Sequence, residues 1–489
     1  MHYPPPESPR PRGITKPRTL TPLANQQSAT SPPPLLAESI RSFLPGWTCT
    51  THVFQAAAPR ESMQPGPGSQ IVVSSGLNGV ERQAIADARF EEITKLRKDI
   101  SSGRKKLSMN DATMWSVANR YAPERSRTGN SIGVTVVLFH AGGFHKEIWE
   151  TTLRYLLSMP QGRANVDEIW SLDAANHGDS ALINNKSLGE TFEWSDHARD
   201  ILNFLGNYLP DRTQNGVLQW NLERISNQNS RERFERGFED RKVLGIGHSF
   251  GGCALARAAL DGPSLFSSII FVDPVIYPLC AAGGSKIRLA PIGALIRREQ
   301  WQDRESARTG LLKSPFFQAW HPDALEDYVQ YGTVEDEHGV KLKCSGYQEA
   351  VTFNEIGRLP CEVWEMLPML DQRIPLKWIM DSTNGDVSGG RESAQHVVWL
   401  RASNSTNIQI KGAGHMSAIP PPLLTKNIWS FLPGWTCTTH VFQTAASGEI
   451  IPPSESSRTI VQSGLGKVKQ QAITDAKFKE IAQLRKDIN

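Results

Sequence analysis

The chain has 489 residues, and its 53 lysines and arginines against 50 aspartates and glutamates leave a net charge of only +3. This balance, with no basic cluster interleaved with aromatic residues, excludes the electrostatic footprint of a nucleic-acid-binding protein. No apolar run reaches the roughly 18 residues that a transmembrane helix needs, and the six cysteines have neither metal-ligand nor disulfide-framework spacing, which favours reduced thiols.

The first segment, residues 1–35, is rich in proline, serine and arginine, as in the stretch PPPESPRPR. Such a composition supplies too few apolar side chains to offset the conformational entropy that ordering would cost. We therefore expect a disordered, proline-rich tail.

Residues 36–107 resemble the end of the chain. The letters FLPGWTCTTHVFQ occur at Phe43–Gln55 and again at Phe431–Gln443, and further matches follow without a gap. In each copy, a proline-led segment that ends in Pro-Gly predicts a short helix, and the charged segment after it predicts a long amphipathic helix. We expect residues 36–107 to be a loosely attached helical copy of a C-terminal tail, with the second tail helix at 448–489. Docking, homodimerisation and plain solvent exposure of these helices stay open.

The central region begins with a predicted strand at Gly133–Phe139, and a loop of small residues, His-Ala-Gly-Gly, follows it. An oxyanion hole commonly takes one of its backbone N–H donors from such a loop, because small residues let the backbone approach a reacting carbonyl. Gly142 is the first candidate for this donor, and Gly143 is the second.

The stretch GHSFG at 247–251 has the pattern G-x-S-x-G. The apolar residues before it predict a buried strand, and the alanine-rich residues after it predict a helix. In such a strand–turn–helix the serine occupies a turn so sharp that its neighbours must be small, and the next backbone N–H points at the reacting carbonyl. We interpret Ser249 as a nucleophile and the Phe250 N–H as an oxyanion donor.

Further strands are predicted at Ser267–Val272, Leu376–Met380 and Asn407–Ile410. Strands that alternate with helical segments predict an α/β fold with a mostly parallel central sheet, in which the carboxyl ends of the strands share one edge. The turn after the predicted strand Ile169–Leu172 contains His177, and we expect it to shape the loops at that edge rather than to do chemistry.

A serine nucleophile requires a base and a carboxylate that orients the base. His415 follows the last predicted strand through a loop of small residues, and imidazole titrates near neutral pH, so His415 is the expected base. The acid is left open between Asp273, at the end of one strand, and Asp381 or Asp386, in the loop after the next. We expect Asp273, with Asp386 as the main alternative.

The stretches FHAGGFHKEIWE, DAANHGDSA, GHSFGG, VDPV and GAGH together resemble the fungal α/β-hydrolases of the peroxisomal lipase and toxin-biosynthesis group. This group includes hydrolases of the AK-toxin and AF-toxin type gene clusters, and it is similar to the type I acyl-CoA thioesterase of mycophenolic acid clusters. The resemblance covers about residues 112–447. It does not explain residues 1–107, of which we interpret 36–107 as a duplication of the C-terminal tail of this group.

The resemblance implies an α/β-hydrolase fold over residues 108–447, with a helical cap at about 277–370 inserted after the sixth strand. It implies Ser249 as the nucleophile, His415 as the base and Asp273 as the acid. Three aromatic residues of the cap are expected to line an acyl pocket: Phe316, Phe317 and Trp320.

These features predict a Ser-His-Asp hydrolase that acts on a lipophilic ester or acyl-CoA thioester in fungal secondary metabolism. We expect a small-molecule acyl substrate as its partner, and neither a metal nor an organic cofactor. Acyl transfer to an alcohol and a non-catalytic, hydrolase-like scaffold are the alternatives. The resemblance implies a peroxisomal location, but the chain ends in Lys486–Asn489 rather than in a tripeptide similar to Ser-Lys-Leu, which makes the cytoplasm the alternative.

Overall fold

The computed structural model of the chain covers most of the sequence. The residues that it describes are 2–11, 16–24, 31–34, 40–62, 78–110, 112–124, 132–214, 216–278, 289–355, 358–381, 387, 389–412, 414–415, 421–429 and 431. The predicted tail helix at 448–489 and the alternative acid Asp386 lie outside these residues.

The strands, in chain order, are β1 (Ile40–Leu44), β2 (Trp47–Gln55), β3 (Arg60–Ser62), β4 (Ser108–Asn110), β5 (Trp115–Pro123), β6 (Val134–Phe139), β7 (Val166–Leu172), β8 (Lys242–His248), β9 (Ser268–Val272), β10 (Gln300–Trp301), β11 (Thr333–Asp336), β12 (Gly339–Leu342), β13 (Leu376–Met380) and β14 (Ser405–Gln409). The helices are α1 (Gly79–Ser101), α2 (Glu150–Ser158), α3 (Pro160–Asn165), α4 (Gly178–Asn184), α5 (Trp194–Asn203), α6 (Asn227–Arg236), α7 (Phe250–Asp261), α8 (Leu289–Ile296), α9 (Arg304–Leu311), α10 (Pro315–Gln318), α11 (Pro322–Gly332), α12 (Gly346–Phe353), α13 (Leu359–Met366), α14 (Arg391–Val397) and α15 (Pro421–Trp429). Within the described ranges, every helix is too short or too polar to span a lipid bilayer.

A nine-stranded sheet organises the molecule, in the spatial order β1-β2-β5-β7-β6-β8-β9-β13-β14. The strands from β7 to β14 in this order pair in parallel, whereas β1, β2 and β5 pair antiparallel at one edge. This arrangement confirms the predicted α/β fold with a mostly parallel central sheet. Because the parallel strands point the same way, the loops that follow β6, β8, β9 and β13 meet at one edge, and the candidate site lies there.

Both faces of the parallel strands are buried. Along β6, Val136 and Leu138 pack against α2 and α15, whereas Val137 and Phe139 pack on the opposite side with α5 and α7. Alternate side chains of a strand point to opposite faces, so a strand covered on both sides reads as a continuous apolar run. This is why the apolar runs of the sequence correctly predicted the strands of the core.

The prediction of a loosely attached helical copy at 36–107 is wrong for its first part. Phe43–Gln55 forms a hairpin in which β2 pairs with β5 over nine residues as part of the main sheet. Pro45 and Gly46 form the hairpin turn, and Gly46 has the positive φ of 80° that a type II turn requires at this position. The helical part is correct for α1, which packs against α8 of the cap region. The predicted domain boundary at 107/108 therefore falls inside one folded unit.

The prediction of a disordered tail at 1–35 is also wrong for the described part of that segment. Tyr3 is 2% exposed, and its N–H donates to Asn407 Oδ1 over 2.7 Å. Farther along, the Arg199 side chain donates to the Thr21 carbonyl over 2.7 Å. Proline has no N–H to satisfy, so arginine side chains of the folded domain suffice to hold this segment in place.

A cap is inserted between β9 and β13, as predicted for residues 277–370. It contains α8 to α13, together with a three-stranded antiparallel sheet in the order β10-β12-β11. The expected cap was purely helical, so this small sheet was not predicted. Along the chain, β9 is the seventh strand of the main sheet, whereas the resemblance implied an insertion after the sixth strand.

Candidate active site

The turn between β8 and α7 holds Ser249 in a strained backbone conformation, with φ 56° and ψ −121°. A positive φ in a residue other than glycine costs on the order of 1–3 kcal/mol and is found where the surroundings enforce it. The surroundings do so here because the turn is packed too tightly for side chains. A Cβ on Gly251 would lie 2.4 Å from the His140 carbonyl oxygen, and one on Gly247 would lie 2.7 Å from the Gly252 Cα. Glycine at −2 and +2 is thus a steric requirement of this turn.

The structure brings Ser249, His415 and Asp273 into one hydrogen-bonded line. His415 Nε2 lies 2.8 Å from Ser249 Oγ, and His415 Nδ1 lies 2.5 Å from Asp273 Oδ2. The exposed fraction is 5% for Ser249, 0% for Asp273 and 14% for the His415 side chain. With Nδ1–H donating to the carboxylate, Nε2 is free to accept the serine proton, which is the tautomer that a general base requires.

The structure also separates the candidate acids. Asp273 lies directly after β9 and has a positive φ of 41°, and its carboxylate is the one that contacts His415. Asp381 follows β13 and is buried, and His415 Nδ1 has its short contact with Asp273 rather than with Asp381. Asp386 lies outside the described residues.

A second histidine supports the loop that carries His415. His248 Nε2 donates to the main-chain carbonyl of His415 over 3.0 Å. Burial lowers the pKa of His248 to about 3, and the neighbouring His415 ring lowers it as well. His248 therefore stays neutral and acts as a hydrogen-bond donor beside the site.

The loop after β6, residues His140–Phe144, is the expected oxyanion loop and is called so below. Its two glycines differ in the hydrogen bonds that their N–H groups make. The Gly143 N–H donates to His177 Nε2 over 3.0 Å, and Gly143 has a φ of 80°. That donor is therefore already engaged, which favours Gly142 over Gly143 as the loop donor. Phe250, whose N–H is the other predicted donor, is the first residue of α7.

Cap helix α12 lies directly over the oxyanion loop. A Cβ on Gly142 would meet the Phe353 ring at 2.9 Å, and one on Gly143 would meet the Glu349 carboxylate at 2.5 Å. Glu349 is paired with Arg297 at the end of α8. Sequence patterns did not single out these cap residues, because contacts between a cap and a loop leave no periodic signal.

The aromatic residues predicted to line an acyl pocket do not share one environment. Phe316 is 44% exposed, whereas Phe317 and Trp320 are buried in a cap cluster with Tyr328. Trp320 packs edge-on against Phe144 of the oxyanion loop, with ring centroids 5.1 Å apart. The cluster thus joins the cap to the loop, and its role as a pocket wall stays a prediction.

A buried group of charges lies behind the oxyanion loop. Lys146 is fully buried, and its Nζ lies 3.1 Å from Asp173, 2.5 Å from Asp179 and 2.9 Å from Glu147. Burial alone would lower the pKa of Lys146, but the three carboxylates raise it well above its usual value. Lys343 of the cap also contacts Asp179, over 2.6 Å. Lys146, next to the oxyanion loop, and Lys343 of the cap thus both bind Asp179, which links the cap to the loop.

Comparison with known proteins agrees with this architecture. Residues 136–422, more than half of the chain, match the model of the alpha/beta hydrolase family. The chain belongs to the alpha/beta hydrolase family. The predicted fold class is thereby confirmed, as is the prediction of an enzyme of this class.

Three curated relatives match parts of the chain. The type I acyl-CoA thioesterase mpaH of Penicillium brevicompactum is 28% identical over 189 residues, which are 38% of this chain and 37% of the relative. The peroxisomal membrane protein LPX1 of Saccharomyces cerevisiae is 29% identical over 34% of this chain and 37% of the relative. The abhydrolase domain-containing protein AFT2-1 of Alternaria alternata is 34% identical over 23% of this chain and 44% of the relative. The chain thus spans less than half the length of these relatives, and the predicted resemblance to their group is confirmed.

A solved structure extends the likeness in fold. The peroxisomal alpha-beta-hydrolase Lpx1 from Saccharomyces cerevisiae superposes with a TM-score of 0.54 at 16% sequence identity, covering 89% of this chain and 99% of that one. At this identity the match supports the fold and not the substrate.

Proposed function

We propose that this chain is a serine hydrolase that cleaves a lipophilic ester or an acyl-CoA thioester through an acyl-enzyme. The observation that carries the proposal is the line of hydrogen bonds from Ser249 Oγ through His415 to Asp273, with distances of 2.8 and 2.5 Å. Serine is a weak nucleophile until an adjacent base removes its proton, and this line supplies the base and its orienting carboxylate.

Each residue has one task in the proposed reaction. Ser249 Oγ attacks the acyl carbon while its proton passes to His415 Nε2, and the N–H groups of Phe250 and Gly142 hold the oxygen that becomes negative. His415 then gives the proton to the departing alcohol or thiol, which leaves as the acyl-enzyme forms. A water molecule attacks the acyl-enzyme by the same route in reverse, releasing the carboxylic acid and restoring Ser249. Asp273 stabilises the imidazolium in both steps.

The substrate class rests on the cap and on the relatives. The cap presents Phe353 beside the oxyanion loop and packs Trp320 against Phe144, so that it places apolar groups against this loop. The relatives include a type I acyl-CoA thioesterase, and we extend this activity class to the chain as part of the proposal. A role in toxin biosynthesis and a peroxisomal location, after the relative LPX1, belong to the same proposal, and homodimerisation stays a prediction.

Labelling with a fluorophosphonate tests the proposal directly, because the reagent phosphonylates activated serines. We expect the wild type to be labelled and Ser249→Ala to be unlabelled, with Ser267→Ala, which changes a serine away from the site, labelled like the wild type. An unlabelled wild type with an intact circular dichroism spectrum would instead support the scaffold alternative.

A parallel assay then chooses between substrates. Wild type and Ser249→Ala are compared on acyl-CoAs and on p-nitrophenyl esters of matched chain length, with and without a short alcohol as a competing acceptor. Release of free acid from wild type alone supports hydrolysis, whereas transfer of the acyl group to the alcohol in preference to water would replace it by the acyltransferase alternative.

A further inference from the structure

One unbroken line of hydrogen bonds runs from the oxyanion loop into cap helix α12. The Gly143 N–H meets His177 Nε2 at 3.0 Å, and His177 Nδ1 meets Asn176 Oδ1 at 2.7 Å. Asn176 Nδ2 meets Thr352 Oγ1 at 2.9 Å, and Thr352 Oγ1 meets the Gln348 carbonyl at 2.9 Å. His177 and Asn176 belong to the turn after β7, whereas Thr352 and Gln348 belong to α12.

The direction of every bond in this line is fixed by its first donor. The backbone N–H of Gly143 can only donate, so His177 Nε2 accepts and carries no proton. Neutral imidazole then carries its proton on Nδ1, which donates to the amide oxygen of Asn176. The amide nitrogen of Asn176 donates to Thr352, whose hydroxyl donates onward to the Gln348 carbonyl. Bonds aligned in one direction polarise one another, which strengthens the line as a unit.

The three side chains in the line are fully buried, so water cannot replace a lost partner cheaply. His177 and Asn176 are 0% exposed, as is Thr352. Burial, followed by the neighbouring His140 and His197 rings, holds the pKa of His177 well below its usual value, which keeps the ring in the neutral form that the line requires. If one of these buried groups lost its hydrogen-bond partner, the free energy of unfolding would fall by more than the hydrogen bond itself contributes.

We propose that His177 and Asn176 are positioning residues that hold the oxyanion loop in its reactive geometry and make that geometry depend on the seating of α12. The proposal rests on the proposed hydrolase function. With its N–H committed to His177, Gly143 cannot rotate its peptide bond toward Ser249, and the neighbouring Gly142 N–H is left to bind the developing oxyanion. When α12 packs against the oxyanion loop, Thr352 completes the line of hydrogen bonds. The loop then holds its reactive geometry only while the cap is in this position.

The test uses pairs of variants that differ in one hydrogen-bonding atom. Glutamine places an acceptor where histidine has Nε2, whereas asparagine reaches only to the position of Nδ1. We therefore expect His177→Asn to lower kcat for a p-nitrophenyl ester by about 10- to 100-fold with KM changed less than about 3-fold, and His177→Gln to recover much of the loss. At the far end of the line, Thr352→Val is expected to lower kcat by about 3- to 10-fold, and Thr352→Ser to restore it.

A matched control weakens the same helix without removing an atom of the line, because Ser345 contacts the Gln348 N–H whereas the line ends at the Gln348 carbonyl. Ser345 caps α12 by accepting from the Gln348 N–H, and Ser345→Ala should lower the melting temperature while leaving kcat unchanged. The positioning role is overturned if folded His177→Asn and Thr352→Val have the same kcat as Ser345→Ala. It is also overturned if these two variants change only KM. If His177→Asn does not fold, the Thr352 pair decides. A wild type without esterase activity would reject the proposed function itself, whereas an active wild type with unaffected variants rejects only the positioning role.

Discussion

At the scale of single residues, the contact between Asp273 and His415 makes a sharp prediction. Asp273→Asn keeps the size and most of the packing of the side chain, but an amide can donate to His415 Nδ1 and so favour the wrong tautomer, with the proton on Nε2. We expect kcat to fall by about 10³- to 10⁴-fold with little change in KM, as measured on the ester or thioester that the wild type cleaves best.

The alternative acid provides the control for this experiment. Asp386→Asn changes the same chemical group in the loop that sequence patterns favoured second. It should keep kcat within about 2-fold of the wild type, which is the range of a substitution without a catalytic role. A large loss in Asp386→Asn together with an active Asp273→Asn would reverse the assignment of the acid.

The turn that carries Ser249 was predictable from sequence because G-x-S-x-G is a local feature. Its strand, turn and helix lie in consecutive residues, and contacts within the turn require glycine at 247. Glycine at 251 is required by the His140 carbonyl, which belongs to the loop after β6. The acid was not decided, since Asp273 and Asp381 follow adjacent parallel strands and reach the same edge of the sheet. The sequence predicted that the turn with His177 shapes the loops at this edge, but it did not identify Asn176 or the partner Thr352, because Thr352 lies in a cap helix 176 residues away from Asn176.

At the scale of elements, the edge hairpin is a structural part of the sheet and should behave as one. Phe54 in β2 is fully buried and packs on Phe204 and Tyr208, with ring centroids 5.1 and 5.3 Å away. We expect Phe54→Ala to lower the free energy of unfolding by about 3–5 kcal/mol, the usual result of leaving a cavity in place of a buried phenylalanine.

Urea denaturation measures this change, with Leu289→Ala as the control at a side chain that is mostly exposed on α8. The control should change stability by less than about 0.5 kcal/mol. Equal small effects in both variants would mean that the hairpin is loosely attached, as the sequence had suggested.

The hairpin was missed because the dipeptide Pro-Gly is compatible with two different local structures. Pro-Gly can end a helix, but with proline second and glycine third it also forms a type II turn, and the structure uses Pro45 and Gly46 in that way. The β-branched and aromatic residues of TCTTHVF after the turn favour a strand, but the same letters also follow helix α15 (Pro421–Trp429) in the second copy. Local turn chemistry alone could not choose, because the choice depends on pairing with β5, more than 60 residues farther on.

At the scale of the whole molecule, long-range side-chain contacts cover the sheet: they join the cap to the oxyanion loop region and the N-terminal segment to the last strand. Lys343 links the cap to the charges behind the oxyanion loop, and Tyr3 reaches Asn407 in the last strand. Composition could not predict this, since it describes the proline-rich segment without the arginines of the folded domain that hold it. The sequence therefore predicted the parallel core well and its covering layer poorly.

The stability of the whole molecule should fall in mild acid because buried histidines stay neutral in it. Burial lowers the pKa of His52 to about 4 and the pKa of His140 and His248 to about 3, against about 6.5 in the unfolded chain. Between about pH 6.5 and 4 the unfolded state therefore binds protons that the folded state does not, so stability is complete above pH 6.5 and is lost as the pH falls. His52 is distant from the candidate site in the sheet, and its Nδ1 donates to the Gln219 carbonyl over 2.7 Å, which makes it the cleanest probe.

His52→Asn keeps a donor near that carbonyl and removes the titration. Urea denaturation from pH 7 to 5 should give a dependence of unfolding free energy on pH that is shallower than in the wild type, with a difference that grows toward about 1.4 kcal/mol per pH unit, the value of one proton, at the acid end of the range. Lys105→Gln, at an exposed side chain, should keep the wild-type slope. Parallel curves for the wild type and His52→Asn would show that His52 binds its proton equally in both states, and the acid sensitivity would then have to come from other groups.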